Sequence, residues 1–164
     1  MGNLRSVQKA FEFIGKKAII TDDRKKISEA SLVVLPGVGS FSAAIANLKK
    51  LNLVETVKKI ISDGKPFLGL CLGLQILFEE SEEGNCHGLG IFRGKVKRFN
   101  FSKPVSLKSK PKLKIPHMGW NNTKLQVSSA YRDKLQIFSG IPDNSYFYFV
   151  HSYYVVPEDK KIIA

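Results

Sequence analysis

"PFLGLCLGLQILFEE", residues 66–80, sets a cysteine between two glycines inside an apolar run. A lone free cysteine in such a run is ordinarily a small core residue. The spacing Gly69-Leu70-Cys71-Leu72-Gly73 points elsewhere, to a nucleophile elbow in which a strand turns sharply into a helix. "PFLGL" (66–70) reads as a buried strand, and "LGLQILFEE" (72–80) as a helix beginning directly behind Cys71. The side chain at the tip of such a turn sits on a strained backbone. The glycines two before and two after it leave room where a side chain would strike the neighbouring strand or helix. A helix starting at this point aims free N–H groups and the positive end of its dipole at the sulfur, which favours the reactive thiolate. The backbone N–H of Leu72 is then available as an oxyanion donor.

Working outward, "SLVVLPG" (31–37) is a second strand, a short β-branched run stopped by Pro-Gly. Its continuation "LPGVGSF" (35–41) is a glycine turn before a helix, and Pro36-Gly37 alone would account for a tight turn there. The functional reading is that Gly37, Val38 and Gly39 turn backbone N–H groups toward the elbow and complete an oxyanion hole. In open α/β sheets the site lies beyond the carboxyl ends of the strands, where both turns fall. The two motifs therefore predict one pocket.

The rest of the first half alternates in the same way. Leu4, Val7, Phe11 and Ile14 share one helical face, with Asn3 placed to cap it and Gly15 to end it. "KAIIT" (17–21) reads as a short strand. A helical stretch over 41–62, interrupted near Asn52, carries Leu53, Val54, Val57, Ile60 and Ile61 on its apolar face and stops at Gly64. Strands alternating with helices imply βαβ units and a mostly parallel sheet. Beyond residue 88 the pattern changes to strand-like stretches with no long helix between them, so the second half is expected to be rich in hairpins. The lysine- and proline-bearing stretch 102–114 reads as a surface loop. One domain, residues 1–164, is expected.

Composition sets the outer bounds. No apolar run approaches the ~18 residues of a membrane span, and the N-terminus shows no signal-peptide pattern. Two cysteines, Cys71 and Cys86, make no disulfide framework, so a reducing cytoplasm is the expected setting. The net charge of +12 invites a nucleic-acid reading. Against it, the lysines are dispersed, and the densest stretch, "KSKPKLK" (108–114), lacks interleaved aromatics and any helix-turn-helix or zinc spacing. Neither nucleic acid nor membrane is expected as a partner.

"LPGVGSF", "PFLGLCLGLQILFEESEEG", "GLGIFRGKVKRF", "IPHMGWNN" and "YFYFVHSYYV" occur in order and together cover most of the chain. This set resembles the class I (triad-type) glutamine amidotransferases; "PHMGWN" and "YFVHSY" narrow the likeness to the glutaminase subunits serving imidazole glycerol phosphate synthase. The resemblance implies an α/β, flavodoxin-like fold with a mostly parallel sheet flanked by helices. It implies that Cys71 attacks the side-chain amide of glutamine, releasing ammonia and leaving a glutamyl thioester for water to hydrolyse. It assigns Gly37, Val38, Gly39 and Leu72 to the oxyanion hole, and Gln75, His151, Ser152 and Tyr153 to the glutamine pocket. His117, Met118, Gly119 and Trp120 match a surface facing the partner, a (β/α)₈-barrel cyclase subunit that receives the ammonia. No cofactor and no metal site are expected.

Two family features fall outside the match. A strand of the type "IAIIDYG" ordinarily precedes the Gly-Asn found at Gly2-Asn3, and the triad's His and Glu lie in an "FHPE"-like motif downstream of the "YFVHSYYV" segment. No "HPE" occurs in the 164 residues, and His87, His117 and His151 stand in other contexts. The chain is accordingly read as a piece of a longer protein that lacks the triad's general base. Two alternatives stay open from sequence. One is a paralogous amidotransferase feeding another synthase, such as one modifying nucleotide sugars; the other is a non-catalytic remnant acting as a binding partner.

Overall fold

A computed structural model describes residues 3–101, 114–124 and 136–159. The expected surface loop at 102–114 and the lysine cluster at 108–114 fall almost wholly outside them. The backbone divides into two compact units, one of residues 1–99 with 153–164 and the other of residues 100–152.

In the first unit, helix α1 (Leu4–Phe13) opens as the periodicity predicts. Asn3 precedes it in a left-handed conformation with no side-chain capping bond, whereas Gly15, at φ +73°, ends it as expected. Residues 17–21 do not form the predicted strand. The amide of Gln8 donates to the Ala18 carbonyl (2.7 Å), and Ile19 and Ile20 are exposed. A strand exists only where neighbouring backbone completes its ladder. The chain runs instead to α2 (Arg24–Glu29), where the Asp23 carboxylate accepts from the backbone N–H of Lys25 (2.8 Å) and Lys26 (3.3 Å).

Strand β1 (Val33–Gly37) leads through the glycine turn into α3 (Phe41–Lys50), capped by Ser40. The predicted interruption falls at Asn52, left-handed at φ +54°, and α4 (Val54–Ser62) follows before Gly64 stops it at φ +74°. After glycine, asparagine is the residue that most readily takes this conformation, which is why the break falls there. Strand β2 (Phe67–Cys71) returns beside β1 in parallel register, Val33 opposite Phe67 through Gly37 opposite Cys71. That is the βαβ unit the sequence implied.

The helix behind Cys71 is much shorter than its apolar run predicts. Helix α5 covers only Leu72–Gln75, and the chain then enters strand β3 (Phe78–Ser81). The carbonyl of Ile76 accepts from Leu89 N–H (2.8 Å), and that of Leu77 from Ile91 N–H (2.9 Å). These long-range bonds replace the helical ones that residues 76–80 would otherwise make. Strand β3 pairs in parallel with β5 (Phe92–Arg98) and antiparallel with β4 (Cys86–His87). Strand β8 (Tyr153–Pro157) closes this four-stranded sheet antiparallel to β5. The α/β class holds, but strand pairing is mixed, with parallel pairs limited to β1–β2 and β3–β5 among the described residues.

The core joins one face of α3 and α4 to the elbow and the mixed sheet. Phe41, Leu48, Phe78 and Val96 are fully buried, with Val57, Leu72, Ile76, Leu77 and Leu89 packed among them. Burying each such side chain contributes ~1.5–3 kcal/mol. Leu72 and Ile76 thus anchor the elbow in the best-packed part of the unit.

The second unit is built on a two-stranded antiparallel ribbon of β6 (His117–Asn122) and β7 (Tyr146–His151). His117 lies opposite His151, Met118 opposite Val150, and Trp120 opposite Tyr148. Among the described residues no helix is long and apolar enough to cross a membrane.

Candidate active site

Cys71 is the last residue of β2 and the residue before α5, with φ +54° and ψ −111°. A residue with a Cβ pays steric strain in this region, and such strain persists only where the surroundings over-determine it. Here they do. A Cβ on Gly73 would lie 1.7 Å from the Leu35 carbonyl oxygen, and one on Gly69 2.8 Å from backbone atoms of Gly73 and Leu74. Both flanking glycines are therefore required because strand and helix pass with their backbones in contact. The thiol itself is exposed.

The second glycine turn comes to the same place. Gly37 is in register with Cys71, and a Cβ on it would meet Gly73 N and Leu72 Cβ at 2.9 Å. Val38 is exposed, and Gly39 adopts φ +98°. The carboxyl ends of the two parallel strands thus bring Gly37, the first residue of the glycine turn, beside Cys71 and Leu72. Because α5 is a single turn, its aligned peptide dipoles are few. The long helix read from sequence, and its dipole, is therefore absent behind Cys71.

Gln75 ends α5, and its side-chain amide donates to the Tyr153 carbonyl at 3.4 Å. Two of the predicted pocket residues are therefore neighbours within the first unit. His151 and Ser152 belong to the second unit, where His151 ends β7. The four residues matched to a partner surface all lie on β6, and strand alternation divides them. Met118 and Trp120, 61% and 68% exposed, share one face with Tyr146, Tyr148 and Val150. Trp120 and Tyr148 meet edge-on at 5.5 Å. His117 is on the opposite face, stacked against Phe149.

One residue of this region escaped the sequence reading. The Glu83 carboxylate accepts from Phe41 N–H at 2.9 Å, tying the segment after the elbow to the start of α3 behind the glycine turn. Its sequence signal was faint, since "EESEEG" (79–84) reads as a solvated acidic run. Glu79 likewise accepts from Gly94 N–H (2.9 Å), and Glu82 from Arg98 N–H (2.8 Å). Three carboxylates of the acidic run are thus backbone ties.

A strand–elbow–helix carrying an exposed cysteine, with a glycine turn at its side, is the arrangement of a cysteine nucleophile. The model of the family "Glutamine amidotransferase class-I" matches residues 3–164, and the chain belongs to that family. It is similar to "Imidazole glycerol phosphate synthase subunit HisH" of Thermosynechococcus vestitus, 49% identical over the whole chain and 72% of the relative's length. The subunits of the same name from Trichodesmium erythraeum (51% identical, the whole chain, 71% of the relative) and Aquifex aeolicus (46%, 99% of the chain, 72% of the relative) match comparably. A crystal structure of a glutamine amidotransferase superposes with a TM-score of 0.53 at 21% identity, over 63% of this chain and 56% of the other. That likeness is one of fold.

Proposed function

We propose that the chain is the glutaminase part of imidazole glycerol phosphate synthase, releasing ammonia from glutamine for histidine biosynthesis. The observation that carries the chemistry is the register of Gly37 with Cys71 at the ends of two parallel strands, Cys71 being held at positive φ. The kinship with the HisH subunits supports the choice of pathway.

In the proposed reaction the Cys71 thiolate attacks the side-chain amide carbon of glutamine. The oxygen takes up negative charge and is met by N–H groups of Leu72 and of the Gly37–Val38–Gly39 turn. Collapse of the tetrahedral intermediate breaks the C–N bond, and the protonated nitrogen leaves as ammonia. Water then attacks the glutamyl thioester, regenerating the thiol and releasing glutamate. Gln75 and Tyr153, neighbours in the first unit, hold polar groups of the substrate. A histidine must shuttle protons in both steps, and in the family it stands in the "FHPE"-like motif. A polypeptide limited to these 164 residues should therefore be slower by at least ~10²–10⁴-fold than one that includes that motif.

The ammonia passes to a (β/α)₈-barrel cyclase in a cytoplasmic heterodimer, whose joint lyase reaction forms imidazole glycerol phosphate. His117, Met118, Gly119 and Trp120 contribute to that contact, with Met118 and Trp120 supplying its exposed apolar face. The test is ammonia release from glutamine by the full gene product, with and without the cyclase. Activity abolished by Cys71→Ala supports the reading; activity that survives this change refutes it.

A further inference from the structure

The glycine turn is pinned at both ends and little packed between them. Gly37 and Phe41 are buried, whereas Val38 and Gly39 are exposed, and a Cβ on Gly39 would meet nothing within 4 Å. The direction of the N–H groups at the apex is therefore set by the two ends. At the near end, β1 holds Gly37 in register with Cys71. At the far end, the hairpin that follows the elbow holds Phe41. The Phe41 N–H donates to the Glu83 carboxylate at 2.9 Å, and the Phe41 ring lies 3.1 Å from where a Cβ on Gly88 would stand. Phe41 is the first residue of α3, so its N–H has no acceptor within the helix, and the Ser40 cap accepts from Ala43 instead. Glu83 is in turn fixed from the sheet: its N–H donates at 3.0 Å to the hydroxyl oxygen of Ser81, a buried residue of β3.

We infer that Glu83 is a positioning residue for the glycine turn: by holding Phe41 N–H, its carboxylate sets where the N–H groups of Val38 and Gly39 point. The inference rests on the proposed reading in which that turn completes the oxyanion hole. Glu83 acts through Phe41 and need not touch glutamine. Oxyanion donors are effective because they are aimed in advance at the charge that develops during attack. That charge exists in the transition state and not in bound glutamine, so a displaced turn lowers kcat and leaves KM. Without the carboxylate, the N–H of a fully buried residue has to find water, and the end of the turn moves to admit it.

The test is Glu83→Ala in the full gene product with the cyclase, assayed for ammonia release at a temperature where circular dichroism shows every variant folded. An ångström of misplacement costs ~10²-fold in rate, so a shift of about half that should lower kcat on the order of tenfold, with KM for glutamine unmoved. Glu83→Gln keeps an acceptor for Phe41 N–H and should restore kcat to within about threefold. Glu82→Ala removes the neighbouring tie to Arg98 N–H, away from the turn, and should leave both constants unchanged. If Glu83→Ala does not fold, Glu83→Asp, whose acceptor falls one methylene short, carries the same expectation of lowered kcat at constant KM. Undiminished kcat in the folded alanine or aspartate variant would overturn the inference. So would a raised KM at constant kcat, which would mean that Glu83 meets the substrate itself. A glutamine variant as slow as the alanine one, or an equal loss of kcat in Glu82→Ala, would overturn it too. All of these leave the glutaminase reading intact, whereas failure of the unaltered protein to hydrolyse glutamine would refute that parent reading.

Discussion

Replacing Gly73 with alanine tests the elbow where its geometry is tightest. The new Cβ would lie 1.7 Å from the Leu35 carbonyl oxygen and 2.8 Å from its carbon, both backbone atoms of β1. Real contacts of this kind require about 3 Å or more, so β1 and the elbow must separate by more than an ångström. No rotamer change relieves the clash, because the obstacle is main chain. Leu35 is two residues before Gly37, so the displacement is delivered directly to the turn proposed to complete the oxyanion hole. Overpacking costs ~1–3 kcal/mol in a core that can adjust, and an ångström of misplacement at reacting groups costs ~10²-fold in rate. We expect Gly73→Ala to lower kcat/KM for ammonia release by about 10²-fold or more. Gly64→Ala is the control, since its Cβ would meet nothing within 4 Å and only its φ of +74° is unfavourable. It should lose ~1 kcal/mol of stability and little activity. Thermal unfolding and coupled ammonia release, measured on both variants of the full gene product, separate the two effects. Gly73→Ala within about threefold of the unaltered rate would refute the close-approach argument.

Other consequences follow from the same geometry. Brief iodoacetamide treatment should label Cys71 before Cys86, since Cys71 is exposed whereas Cys86 is half-buried with its thiol bonded to the Gly84 carbonyl; peptide mass spectrometry decides. Trp120→Ala should leave the unfolding midpoint almost unchanged, because the ring is 68% exposed, yet weaken association with the cyclase in a titration; loss of the fold would make Trp120 a core residue. Glu83→Ala should cost ~1–2 kcal/mol in denaturant unfolding, as it strips the Phe41 N–H of a charged acceptor. Glu80 has its pKa lowered by its hydrogen bond to Lys95 and by that residue's charge. The contribution of the pair is thus present above the ordinary glutamate range and lost as pH falls through the lowered value. Lys95→Gln should flatten the acid limb of the stability profile slightly, and a limb unchanged by the substitution would count against the pair.

The elbow was legible in the sequence because its constraints are local. Gly69 and Gly73 encode a backbone approach that no larger residues permit, and Asn52 and Gly64 encode left-handed helix stops in the same way. Two of the predictions that failed depended on distant partners. Nothing within "LGLQILFEE" says that the carbonyls of Ile76 and Leu77 are claimed by Leu89 and Ile91, so an apolar run of ambiguous period reads as helix. "KAIIT" has strand composition but no strand pairing. The carboxylate of Glu83 was missed for a similar reason, since its acceptor role is visible only once Phe41 N–H is in place. At the ribbon, the alternation that separates His117 from Trp120 follows from strand period alone, but the His117–His151 pairing required the register.

The central claim is that Cys71 forms a covalent bond to the glutamyl group of glutamine. Its most direct test is acid quenching of the full gene product during turnover with glutamine and the cyclase, followed by mass spectrometry of the peptide containing residues 66–80. The account predicts a glutamyl adduct on Cys71, formed with the release of ammonia and absent from Cys71→Ala. Continued glutamine hydrolysis by Cys71→Ala, with no adduct on the unaltered peptide, would contradict it.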